Sequence, residues 1–138
     1  PEASFVMSFI LRGLIPDGGG MYFLPRRVGL SKAKELIFTG RKVTAEEAVS
    51  IGMGDRLADP GALLEEAAAW ADELTQHSTR ALALAKSILD QSFEHSLETT
   101  LSAGAQAQAI GYTTEFHRSS VEAFLLRSAE RSRSKPQE

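Results

Sequence analysis

The segment Gly13-Leu14-Ile15-Pro16-Asp17-Gly18-Gly19-Gly20 constrains this chain more than any other. Pro16 fixes its own φ, Asp17 can bond the backbone just after it, and the glycines reach conformations closed to other residues. The result is a tight turn that holds one carboxylate beside a run of bare backbone. Three consecutive glycines also let a ligand come close to the main chain, and an acid on such a turn is a place for proton chemistry. The simpler reading of the turn alone is that Asp17 caps a helix beginning at Gly18, accepting bonds from free N–H groups.

On either side of the turn the pattern changes. Phe5-Val6-Met7-Ser8-Phe9-Ile10-Leu11 is short, apolar and β-compatible, and it predicts one buried strand. A helix is expected from Gly18 or Gly19 to about Arg27, with Pro25 near its end. Ser31 should cap a second helix with Ala33, Leu36 and Ile37 on its apolar face and Gly40 past its end. Thr44-Ala45-Glu46-Glu47 has the form of a capping box, with Thr44 and Glu47 serving each other's end of the first turn. That short helix closes at Gly52, and Gly54–Ala58 reads as a short strand.

The remainder is helical. Asp59-Pro60 places a cap before a proline, followed by a stripe of Leu63, Leu64, Ala67, Trp70, Ala71 and Leu74. Ser78 should start a second helix of this region, with Leu82, Ala85, Ile88 and Leu89 apolar. A third begins near Ser96, where Gly104 and Gly111 weaken the pattern. A fourth runs from about Thr114 to Arg127. The tail Arg131–Glu138 lacks apolar residues and is expected to be disordered.

Composition narrows the function classes. With 138 residues, 43% apolar and 24% charged, the chain has the make-up of an ordinary globular protein. A net charge of −3 gives no general attraction to nucleic acid or an anionic membrane. The absence of cysteine excludes disulfides, thiolate catalysis and Cys-based metal sites, and it suits a reducing compartment. His77, His95 and His117 lack metal-ligand spacing and read as surface residues; no metal site is expected. Arg26 and Arg27 suit the negative end of their helix, and Lys86 reads as part of a solvated helix face.

The string F-x-x-x-F-x-x-x-G-L-I-P-D-G-G-G-x-x-x-L-P-R-x-V-G, with A-K-E-L-I-F-T-G and A-E-E-A-x-x-I-G after it, resembles the enoyl-CoA hydratase/isomerase (crotonase) family. The resemblance runs from about Phe5 to Phe124. It implies an α/β crotonase-like (ClpP/crotonase) fold, of which this chain would be the C-terminal half, mostly helical with one or two short strands. Residues 1–58 would be the last part of the core, 59–130 a helical oligomerisation region, and 131–138 the tail. The N–H donors that stabilise an enolate oxygen, and much of the CoA site, would lie in the other half. Residues 1–138 by themselves are then expected to be inactive.

The resemblance also assigns roles. Hydratases of the family use two glutamates, and the position of the second, eight residues before Asp17, is Phe9 here. Asp17 falls where isomerases of the family place an acid/base aspartate, so it is the expected catalytic residue. Phe9, Gly18 and Met21 are the expected substrate-binding residues beside it. Ala123-Phe124-Leu125-Leu126-Arg127 matches a segment that helps close the acyl-CoA site, which adds Phe124 and Arg127, the latter toward a CoA phosphate. Ser119-Ser120 and Gly104 depart from the family pattern. The implied activity is acid/base chemistry on an acyl-CoA thioester through a stabilised enolate. Coenzyme A would enter as part of the substrate, with no other cofactor. The implied setting is a cytoplasmic homotrimer or dimer of trimers, with no nucleic-acid or membrane partner. The alternative is a non-catalytic crotonase-like oligomerisation module.

Overall fold

A computed structural model describes residues 2–133, with side chains through residue 130. The chain divides into two compact units, Pro1–Ala69 and Trp70–Glu138. The division lies beyond Asp59, where the sequence suggests a boundary.

In the first unit, strand β1 (Ser4–Val6) leads into a 3-10 turn at Ser8–Arg12, then α1 (Gly20–Val28), α2 (Leu30–Thr39), β2 (Lys42–Thr44) and α3 (Ala45–Ser50). The two strands pair antiparallel, with Phe5 opposite Val43. The core is small and lies between these elements: Leu24 of α1, Ala33, Leu36 and Ile37 of α2, Val43 of β2 and Ala48 of α3. Met7, Val28, Ile51 and Met53 pack around it. Helical spacing puts Ala33, Leu36 and Ile37 on one face, which is why α2 supplies half of this core.

Several local expectations are corrected here. The run Phe5–Leu11 is not one buried strand. Only its first two residues belong to β1, whose three residues are all exposed. A short strand is buried only if something covers it, and among the described residues β1 pairs with β2 alone. The rest winds into the 3-10 turn, closed by bonds from Gly13 N to Ile10 O and from Leu14 N to Phe9 O. Ser31 is not a cap: the chain breaks at Gly29 and α2 restarts at once, so Gly29 is its N-cap. Gly40 does end α2, in the left-handed conformation.

The capping box at Thr44 is half formed. Thr44 Oγ1 accepts from the Glu47 amide at 3.2 Å, but the Glu47 carboxylate is taken by Arg41 instead of reaching back. Gly54–Ala58 is irregular, since the amides of Met53 and Gly54 both turn back to the Ala48 carbonyl. The second strand is instead Lys42–Thr44. Asp59-Pro60 begins a turn, closed by Ala62 N on Asp59 O, and α4 (Leu63–Thr75) starts only after it.

The second unit carries α5 (Thr79–Gln91), α6 (Leu97–Tyr112) and α7 (Glu115–Arg133). Ser78 and Ser96 cap α5 and α6 as their patterns predict, accepting from Ala81 N and Thr99 N. α5 packs on α6, and α6 on α7. α6 runs unbroken through Gly104 and Gly111, so the weak helix propensity of the two glycines does not end it. α7 continues to Arg133, into the segment expected to be disordered; residues 134–138 lie outside the described residues. No described residue of this unit is fully buried, and large apolar side chains stand open on all of its helices.

Candidate active site

Pro16 is buried and anchors the loop between the 3-10 turn and α1. Beyond it the chain must turn sharply to enter α1, and two consecutive glycines do this in the left-handed region, Gly18 at φ 55° and Gly19 at φ 82°. The Asp17 carbonyl accepts from Gly20 N at 2.9 Å. The Gly19 carbonyl accepts from both Tyr22 N and Phe23 N at 2.9 Å, which makes Gly19 the N-cap of α1.

This geometry corrects the cap reading of Asp17. It lies two residues before the true N-cap, and the cap of α1 uses no side chain. Among the described residues Asp17 bonds through its carbonyl and not through its carboxylate. The exposed acid is held in place by backbone alone.

Phe9, Gly18 and Met21 gather around this loop by chain geometry. The Phe9 carbonyl holds Leu14 N at 3.0 Å, so the half-buried Phe9 sits at the base of the loop. Gly18 follows Asp17 directly. Met21 lies in the first turn of α1, exposed beside Tyr22 and Phe23. Those two rings meet edge to face at 5.2 Å, and the Arg26 guanidinium lies 3.4 Å over the Tyr22 ring centre. Pro25 withholds the N–H that would bond the Met21 carbonyl in an unbroken helix.

Phe124 and Arg127 belong to the second unit. They are three residues apart on α7, hence on one face, and both are exposed. Arg127 makes no ion pair with a described residue. No group of His, Cys, Asp and Glu suited to a metal occurs among the described residues. His117 differs from the surface reading: it is half-buried, its ring edge-on to Tyr112 at 5.1 Å. Arg27 does more than face the helix dipole, pairing with Asp55 at 2.8 Å. Lys86 pairs with Asp90 one turn away, on a solvated face as read.

One charged cluster escapes the sequence reading. Arg41 donates from Nε to Glu35 at 2.6 Å and from its two terminal nitrogens to Glu47 at 2.8 and 2.5 Å. Lys32 donates to the other oxygen of Glu35. The cluster ties α2, the residue before β2, and α3. Arg41, then Lys32, hold the Glu35 carboxyl down to about 2, and Arg41 also lowers Glu47. Glu46 is lowered first by its own backbone N–H and then by the Thr44 hydroxyl. The only trace of the cluster in the sequence is the even spacing of Glu35, Arg41 and Glu47. Its role is structural.

The Enoyl-CoA hydratase/isomerase family model matches residues 1–132. A probable enoyl-CoA hydratase, echA17 of Mycobacterium avium (strain 104), is 43% identical over 103 residues, covering 75% of this chain and 40% of the relative. A putative enoyl-CoA hydratase/isomerase, YhaR of Bacillus subtilis (strain 168), is 36% identical over 126 residues, covering 90% of this chain and 48% of the relative. The crystal structure of an enoyl-CoA hydratase/isomerase from Cupriavidus metallidurans CH34 superposes with a TM-score of 0.83 at 39% identity, covering 91% of this chain and 47% of that one. The fold is crotonase-like. The chain belongs to the enoyl-CoA hydratase/isomerase family. It spans about half the length of the relatives it matches.

Proposed function

We propose that the intact protein acts on an acyl-CoA thioester by acid/base chemistry through a stabilised enolate, with Asp17 carrying the proton. The observation that supports this most is the state of the Asp17 carboxylate. It is exposed, it caps no helix, and the backbone alone positions it. A group that moves a proton must be accessible and held in place. Phe9 brings an apolar side chain, not a second acid, to the base of the loop, which favours an isomerase over a simple hydratase. Adding water needs a group for the water and a group for the carbon, whereas moving a double bond can use one. The relatives carry both names, probable enoyl-CoA hydratase and putative enoyl-CoA hydratase/isomerase.

The enolate oxygen needs preorganised N–H donors, and in this reading they come from outside residues 1–138. Gly18 and Met21 place backbone and apolar surface beside the reacting carbon. Arg127 takes a CoA phosphate and Phe124 covers the acyl group. No cofactor other than the substrate's coenzyme A takes part. Among the described residues no helix is long and apolar enough to cross a membrane, and we place the activity in the cytoplasm. The intact protein is a homotrimer or dimer of trimers. The open apolar side chains of the later helices support assembly, with Leu64 83% and Leu126 68% exposed in the single chain.

The test is Asp17→Asn in the full-length protein, assayed on a series of enoyl-CoA thioesters for both hydration and double-bond migration. Loss of the proton carrier should lower kcat by roughly a hundredfold to ten-thousandfold while folding is unchanged. Near-normal turnover would remove Asp17 from the chemistry. Sedimentation of the same protein tests the assembly; a monomer at every concentration would overturn it.

A further inference from the structure

Two contacts pinch the loop that carries Asp17. On one side a Cβ at Gly20 would lie 3.1 Å from the Pro16 Cβ, so the buried Pro16 packs against the start of α1. On the other, a Cβ at Gly19 would come within 2.7 and 2.9 Å of two carbons of the Phe23 ring. A helical side chain leans back over the preceding turn, which brings Phe23 onto the residue four before it. Gly18 differs: a Cβ there would meet nothing within 4 Å. Gly18 therefore supplies conformation alone, whereas Gly19 also leaves the space that the ring occupies.

The ring is itself braced. Tyr22 meets it edge to face at 5.2 Å, with the two planes at 84°. The Arg26 guanidinium lies 3.4 Å over the centre of the Tyr22 ring, and its Nη1 donates to the Tyr22 carbonyl at 3.1 Å. Arg26, Tyr22, Phe23 and Gly19 thus form one continuous stack along the first turns of α1. Every contact in it lies between Gly19 and Arg26, so the stack does not depend on distant parts of the chain. Phe23 is not among the side chains that form the core of this unit or pack around it.

Two left-handed glycines can act as a hinge as readily as a bracket, because glycine adopts many backbone conformations at little cost. A carboxylate carried on them keeps one position only if something holds the glycines. We propose that Phe23 is a positioning residue for Asp17: its ring, braced by Tyr22 and Arg26, presses on Gly19 and fixes the turn that carries the carboxylate. The inference rests on the reading of Asp17 as the proton carrier.

The experiment measures kcat and KM of the full-length protein on the enoyl-CoA thioester that it turns over fastest. The variants are Phe23→Ala, Phe23→Leu, Phe23→Tyr, Asp17→Asn, and Asp17→Asn combined with Phe23→Ala. Phe23→Ala should lower kcat about tenfold to a hundredfold, the cost of a misplaced reacting group, while KM stays within about twofold. Phe23→Leu keeps apolar bulk without the flat ring; it should show the same split at smaller size, and it decides the matter if the alanine variant does not fold. Phe23→Tyr keeps the ring and should retain kcat. On the Asp17→Asn background Phe23→Ala should cost nothing further, because a residue that acts through Asp17 then has nothing to position. Unchanged kcat without the ring, a loss carried by KM, a tyrosine variant as slow as the alanine one, or a further loss on the Asp17→Asn background would overturn the proposal. Near-normal turnover by Asp17→Asn would instead remove the proton-carrier reading, and this inference with it.

Discussion

The Arg41 guanidinium grips the Glu47 carboxylate through both terminal nitrogens, at 2.8 and 2.5 Å, while its Nε holds Glu35 at 2.6 Å. One residue thus joins α2 to α3 across the turn that leads into β2. All three side chains are about one-third exposed, so solvent screens the pairs and the cluster contributes more to geometry than to total stability. The two-pronged fit needs arginine; a lysine would offer a point charge with no fork.

The first prediction is a pH dependence. An unfolded Glu35 takes its proton near the ordinary 4.5, and the folded one only near about 2. Between those values the unfolded chain binds more protons, so stability falls as pH falls. The contribution is fully present above about 4.5 and is lost on the way down to about 2. Glu47, lowered by the same arginine, acts in the same direction. Urea midpoints measured from about pH 6 down to about pH 2 should show a gap between the native chain and Glu35→Gln that closes in acid. A gap independent of pH would mean that Glu35 is not ion-paired in solution.

The second concerns Asp17 as a structural residue. An aspartate N-cap changed to alanine typically costs about 1 kcal/mol. Because α1 is capped by Gly19 and uses no side chain, Asp17→Ala should change the unfolding free energy by less than about 0.5 kcal/mol, as a surface change does. A loss near the full cap value, read from denaturant curves, would show that the carboxylate does cap α1 in solution.

The third compares two serines that look alike in sequence. Ser96 caps α6 through a bond from Thr99 N at 3.2 Å, and Ser96→Ala should cost about 1 kcal/mol. Ser31 lies inside the first turn of α2, behind its Gly29 cap, and Ser31→Ala should be neutral or slightly stabilising because alanine is the better helix former. Equal losses at both serines would contradict the assigned start of α2.

Much of this protein is settled by local chemistry and is therefore legible without a fold. Ser78 and Ser96 start helices because a hydroxyl can meet a free amide within three residues. Gly40 ends one because it tolerates the left-handed region. The Gly13–Gly20 turn is a loop in any context, since Pro16 and the glycines admit little else. The family resemblance carried by that turn and the motifs after it is matched by the family model over residues 1–132.

Tertiary structure decided what depends on residues distant in the chain. Val43 has little strand signal in its own sequence and becomes a strand because Phe5 pairs with it. Phe5–Leu11 has a strong signal, but only Phe5 and Val6 find partners in β2, and the chain beyond them winds into a 3-10 turn. Asp17 reads as a cap by its neighbours and is not one, since two left-handed glycines move the helix start beyond its reach. Glu47 reads as half of a capping box with Thr44, and its pairing with Arg41 is decided only when α2 and α3 come together. Short-range hydrogen bonds are encoded where they occur; burial, strand pairing and ion clusters belong to surfaces that only folding creates.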